Sequence, residues 1–213
     1  MTIELAKQYD RAYFDYWYRS RRRVLTGDAI GRRARLALAT AEYFFDRPLR
    51  SVLDIGCGEG SWRAVLRRMR PGLRWTGVDP SDYVVRVFGK RRGIRRGSFG
   101  ELAAVRLRGR FDLIVCSDVL HYLPSTEIRK GLPALVRLLG GIAWLDSLTV
   151  DDDVMGDRQG WHLRPASQYR KMFRDAGLVN VSANAWAHAD WAEARVGKLE
   201  GTQAPAGHAS TRG

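Results

Sequence analysis

Three glycines alternate in Ser51-Val52-Leu53-Asp54-Ile55-Gly56-Cys57-Gly58-Glu59-Gly60, and an acid, Asp54, stands two places before the first of them. Glycine takes left-handed dihedrals freely and lets a ligand approach the backbone closely. Such a turn, opening into a helix whose first N–H groups are unpaired, can cradle a nucleotide-like ligand. A second acid, Asp79, follows Gly60 by nineteen residues. At the tip of a parallel strand it can accept both hydroxyls of a ribose, or it can cap the helix that begins at Ser81. His121 and His162 are the side chains best suited to proton transfer near neutral pH, since imidazole titrates near pH 6.5.

The elements that must position these groups read as alternating strands and helices. Val52-Leu53 with Ile55 is a buried strand, Ser61 to Met69 a helix stopped by Pro71-Gly72, and Arg74 to Asp79 a second strand. A short third strand covers Gly93 to Arg96, and Phe111 to Ser117 is a fourth. Ser125 to Leu139 reads as a helix that Pro133 must kink or restart. Gly140-Gly141 then gives way to a fifth strand, Ile142 to Leu148. Thr149 to Arg164 is irregular and polar, and Pro165 to Ala176 is a helix. Leu178 to Val181 opens a strand, with Trp191 to Leu199 as the candidate returning partner.

The glycine spacing is G-x-G-x-G, not the G-x-G-x-x-G of a dinucleotide fingerprint. It resembles the first motif of the class I S-adenosylmethionine-dependent methyltransferases. Three further segments fit that family in order: Asp79, Gly97-Ser98-Phe99, and Phe111-Asp112-Leu113-Ile114 running on to His121. The resemblance covers about residues 50 to 185. It implies a doubly wound, seven-stranded, mostly parallel α/β sheet of Rossmann-like type, with an antiparallel last hairpin and an N-terminal helical lid. It implies S-adenosyl-L-methionine as cofactor, contacted by Asp54, Gly56, Cys57, Gly58, Gly60, Asp79, Pro80, Ser98, Phe99 and Ser117. Ser98 stands where the family often has an aspartate; its hydroxyl can still meet the adenine amino group while Phe99 lies on the ring.

Methyl transfer from a sulfonium is a single in-line displacement, so the protein mainly aligns the acceptor. A base is needed only for an acceptor that arrives protonated. His121, just past the fourth strand, is either that base or a brace bonding to backbone across the turn. His162, on the loop expected to bind the acceptor, is a second candidate base. Tyr13, Trp17, Tyr122 and Trp161 are the candidate acceptor-binding residues. Ser117-Asp118-Val119-Leu120 stands where nucleic-acid amino-methyltransferases carry [ND]-P-P-[FYW], which argues against base N6 or N4 chemistry. No catalytic cysteine motif, no paired-glutamate loop and no metal set is visible. The reading is therefore a methyltransferase acting on oxygen or nitrogen of a small molecule. The alternatives are an RNA- or protein-directed enzyme, and a cofactor-binding homologue without its own activity.

Composition agrees with one large domain: 213 residues, 45% apolar, give a sizeable core. Cys57 and Cys116 read as buried thiols in a reducing, cytoplasmic setting. There is no apolar run long enough to span a membrane and no secretory layout at Met1 to Leu5. Residues 61–110 hold 14 basic and 3 acidic groups, so the formal charge of +13 is concentrated there. Such a face is either solvated surface or an anion-binding surface for nucleic acid or another anionic partner. Residues 1–47 read as a helical lid, 48–199 as the cofactor domain, and 200–213 as a disordered tail. In the lid, Ile3 to Arg21 is a helix with Leu5, Tyr9, Ala12, Tyr13 and Tyr16 on its packing stripe and Phe14 and Tyr18 facing away. Residues 28–45 form a second helix, with Leu36, Ala39, Ala41, Tyr43 and Phe44 available for packing.

Overall fold

The computed structural model describes residues 9–19, 27–152 and 158–196. The candidate tail, Ile3 to Gln8 of the first helix and Asp153 to Asp157 of the polar loop lie outside them. In chain order the elements are α1 (Arg11–Phe14), a π-helical turn (Asp15–Arg19), α2 (Gly27–Phe45), β1 (Ser51–Ile55), α3 (Ser61–Met69), β2 (Arg74–Asp79), α4 (Asp82–Arg92) and β3 (Ile94–Arg96). Then come β4 (Phe111–Ser117), a 3₁₀ turn (Leu120–Tyr122), α5 (Ser125–Leu138), β5 (Leu139–Asp146), α6 (Ala166–Asp175), β6 (Leu178–Ser182), β7 (Ala185–His188) and α7 (Ala189–Arg195).

The seven strands form one sheet in the order β3-β2-β1-β4-β5-β7-β6. β1 to β5 pair in parallel, and β7 is antiparallel to both β5 and β6. Side chains alternate between two cores. Val52, Leu113, Val115, Ile142 and Trp144 face α2, α3 and α7, while Leu53, Ile114, Cys116, Ala143 and Leu145 face α5 and α6. Burial on both faces is why these strands read as continuous apolar runs. Strand order reverses between β1 and β4, which opens a crevice above their carboxyl ends.

Four expectations need correction. Residues 191–195 belong to α7, and the partner of β6 is β7, reached through Ala183 and Asn184. That turn has no glycine to announce it; instead Asn180 Nδ2 donates to the carbonyls of Ser182, Ala183 and Ala185. Trp191 packs on Phe44 and Phe45, with ring centroids 6.4 and 5.4 Å away, which holds α7 against α2. β5 begins at Leu139, so Gly140 and Gly141 lie inside it; a Cβ on Gly141 would stand 2.3 Å from the Phe45 ring. Close approach, not a turn, requires glycine there. Pro133 lies within α5 without ending it, on the exposed side, where the freed carbonyl can meet water. On α2, Leu36 and Tyr43 are exposed, and Ala34, Ala37, Leu38, Ala41 and Phe44 form the packing face.

Candidate active site

The glycine turn is fastened to the end of β2. Gly56 and Cys57 both donate their N–H to the Val78 carbonyl, at 2.8 and 3.2 Å. Gly58 donates to Asp79 Oδ2 at 2.7 Å, and Asp79 Oδ1 accepts from the Ser81 N–H at 2.9 Å. Gly56, Gly58 and Gly60 all have positive φ, at 70, 51 and 87°. A Cβ on Gly56 would strike Val119 at 2.3 Å, whereas one on Gly58 would meet only the Phe14 ring, at 3.4 Å. Gly58 thus leaves a cradle that a side chain would fill.

Asp54 lies beneath the turn, 2% exposed, with Oδ2 lacking any hydrogen-bond partner. Burial, then the charge of Asp79, pushes its carboxyl up to about 8. Burial likewise raises Asp79, against the two backbone N–H bonds that favour its charged form. β1 and β4 are neighbours, and Cys57 and Cys116 are both buried free thiols. Ser98 Oγ accepts from the Glu101 N–H and donates to Glu101 Oε2 at 2.9 Å. Phe99 is 2% exposed and packs on Gly131, where a Cβ would stand 2.4 Å from its ring, so this ring faces the core. Pro80 is exposed.

The N-terminal segment sits on this turn. The Tyr9 carbonyl accepts from Ser81 Oγ at 2.5 Å, and Arg19 bonds Glu59 and Asp15. The expected packing stripe holds in part: Tyr9 and Tyr13 pack on the core, but Ala12 and Tyr16 are exposed and Phe14, expected to face away, is buried against Tyr83 at 5.7 Å. α1 is one turn long and passes into a π turn, so a 3.6-residue stripe does not run through it. The space over Gly58 selects Phe14. Tyr13 stacks edge-on with Tyr9 and Phe14, and Trp17 with Tyr16. Tyr18's side chain lies outside the described residues.

Across the crevice the structure brings His121, Tyr122 and Trp161 together. His121 lies 4.2 Å from the Tyr122 ring and 5.2 Å from that of Trp161. His121 is buried, and its Nδ1 faces Ser147 Oγ at 3.4 Å and the Leu148 N–H at 3.5 Å. With Nδ1 turned to a backbone donor, the neutral ring carries its proton on Nε2. His162 joins this group through its backbone, donating N–H to the His121 carbonyl at 2.8 Å, while its residue is exposed.

Two groups here escaped the sequence reading. Arg33, from α2, places Nη1 2.6 Å from Asp118 Oδ2 and 3.1 Å from Asp146 Oδ2, and Ser117 Oγ donates to the same Asp146 oxygen at 3.1 Å. Asp118 has φ +57°, a left-handed conformation that aspartate tolerates better than most residues. Buried Arg164 donates to the carbonyls of Leu120 and Leu123, to Ser125 Oγ and to Tyr169 OH. It ties the polar loop to the turn that carries His121. Neither grouping has a local signal, because apart from Tyr169 the partners of Arg33 and Arg164 lie tens of residues away. Among the described residues no group of three or more histidine, cysteine, aspartate or glutamate side chains could hold a metal.

The residues of the turn fit S-adenosylmethionine: an open cradle over Gly58, an acid at the tip of β2, and a buried carboxylate with an unused oxygen. A family model described as a methyltransferase domain matches residues 27–183. A ribosomal RNA small subunit methyltransferase C from Yersinia enterocolitica is 29% identical over 122 residues, 55% of this chain. The chain spans about a third of that relative's length, 33%. Among solved structures, a sugar N-methyltransferase from Streptoalloteichus superposes with a TM-score of 0.60 at 19% identity, covering 78% of this chain and 84% of the other. The plantazolicin methyltransferase BamL, solved with S-adenosylhomocysteine, gives 0.60 at 16% identity, covering 80% and 70%. The chain belongs to this methyltransferase domain family.

Proposed function

We propose that the enzyme methylates oxygen or nitrogen of a small molecule held above the carboxyl ends of β4 and β5. The observation that carries this reading is the packing of His121, Tyr122 and Trp161 on one another after β4, together with the pairing of Arg33 with Asp118 and Asp146 at the ends of β4 and β5. Such a mixture of aromatic side chains and a few fixed polar groups suits a compact acceptor. The cofactor supplies an electrophilic methyl on sulfonium. Asp79 and the turn from Gly56 to Gly60 hold its ribose and aminoacyl parts, Ser98 and its neighbouring backbone border the adenine, and Tyr13 and Trp17 close the N-terminal side. The likeness in fold to a sugar N-methyltransferase supports an oxygen or nitrogen acceptor.

In this reading His121 is a brace rather than a base, because Nδ1 is turned toward the backbone of Leu148. Residues 9–19, which sit on the glycine turn, act as a lid over the cofactor. Transfer of radiolabelled methyl from S-adenosylmethionine to panels of amino sugars, phenols and small amines tests the proposal. Turnover on one class, lost on Trp161→Ala with cofactor affinity kept, is the expected result. Methylation of RNA alone, with none of the small molecules turned over, overturns it. That second reading draws on the basic excess of residues 61–110 and on the curated RNA methyltransferase relative.

A further inference from the structure

The groove between α3 and α4 holds a cavity of about 320 Å³ lined by Glu59, Gly60, Ser61, Arg63, Ala64 and Arg92. It borders the glycine turn, but Asp54, Gly56, Gly58, Asp79 and Ser98 do not line it. Its electrostatics are one-sided. Burial, then the charges of Arg67 and Arg92, pulls the Arg63 guanidinium below its ordinary value. Among the described residues no carboxylate pairs with Arg63 or Arg67, although Arg47, Arg70 and Arg96 each have one. Glu59 is the acid in the lining, and its carboxylate is turned to Arg19. Arg92 is held in place: its guanidinium lies 4.0 Å above the Phe88 ring and donates to the Glu59 carbonyl.

Two guanidiniums, Arg63 and Arg92, line one concavity whose single acid, Glu59, is already paired with Arg19; they repel one another, and a compact dianion relieves that repulsion while accepting their planar forks of N–H donors. We propose that this groove, which shares Glu59 and Gly60 with the glycine turn and extends away from it over Arg63 and Arg92, binds the phosphate or diphosphate group of a small molecule. A bounded concavity favours a compact anion over a polymer, which needs a row of phosphate contacts.

The full chain should be titrated with inorganic phosphate, pyrophosphate and a nucleoside diphosphate at constant ionic strength, following thermal melting and calorimetry. A saturable rise in melting temperature with pyrophosphate, not reproduced by chloride, is expected. Arg63→Ala and Arg63→Gln should each weaken it by about tenfold or more, the scale of one lost charge-assisted bond, with S-adenosylmethionine affinity kept. Tighter binding of the nucleoside diphosphate than of pyrophosphate would identify an organic diphosphate; equal binding would identify the free anion. Three results overturn the proposal: no saturable response, a response untouched by both Arg63 variants, or Arg63-dependent binding of a short single-stranded RNA that pyrophosphate does not displace.

Discussion

The two sides of the crevice are built by different means. On the side proposed to hold the cofactor, backbone sets the shape: Gly56, Cys57 and Gly58 are fastened to Val78 and Asp79 within one β–turn–α–β unit. On the side proposed for the acceptor, side chains do it: Arg33 reaches from α2 to Asp118 and Asp146, and Arg164 gathers Leu120, Leu123, Ser125 and Tyr169. A backbone-built site tolerates few side chains, whereas a site built from long-range side-chain bonds can be re-cut residue by residue. That contrast suits a fixed cofactor and a variable acceptor.

The contrast can be broken at either side. Gly58→Val should have the largest effect, abolishing cofactor binding, because φ +51° is strained for valine and its side chain fills the space beneath Phe14. Calorimetry on the folded variant checks this. Arg164→Ala should lower unfolding free energy by about 3 kcal/mol, since two carbonyls, a serine and a tyrosine lose a charged donor. Denaturant melts measure it; a loss under about 0.5 kcal/mol, the scale of an ordinary surface substitution, would mean that this clamp does not hold the acceptor side. His121→Ala should cost about 1–3 kcal/mol of stability with a small, pH-insensitive rate loss. A base would instead show a fall in rate of about 10²–10⁴-fold.

The subtlest effect concerns Asp54. Its folded-state pKa of about 8 lies above the ordinary 3.8, so the folded chain keeps a proton that the unfolded chain releases. Its contribution is most favourable below about pH 4, and stability is lost as pH rises toward 8. Asp79, also raised, acts with the same sign. Asp54→Asn should flatten the decline of stability between those limits. Parallel pH dependences for wild type and variant would show that Asp54 is ionised in the folded chain.

The same contrast explains what was legible in the sequence. β1, the glycine turn, α3, β2 and β4 were readable because each is a local pattern: an apolar run, a glycine period, a helix stopped by Pro71-Gly72. The burial of Phe14 was not, because a one-turn helix followed by a π turn takes its facing from the space over Gly58. The helix at 189–195 was missed because Trp191 packs on Phe44 and Phe45, residues far off in sequence. Gly140-Gly141 looked like a turn, yet its reason lies in the Phe45 ring. Of the candidate site, the glycine turn and its junction with β2 followed from spacing, while the pairing of Arg33 with Asp118 and the bonds of Arg164 are made only by the finished fold.

The most direct test of this division of labour sets two variants side by side. Asp79→Ala and His121→Ala, each verified as folded by circular dichroism, are titrated calorimetrically with S-adenosylmethionine. The account predicts that Asp79→Ala weakens binding by about 1.5–3 kcal/mol, the loss of charge-assisted hydrogen bonds, while His121→Ala binds like wild type. Unchanged affinity in Asp79→Ala, or an equal loss in both, would contradict it.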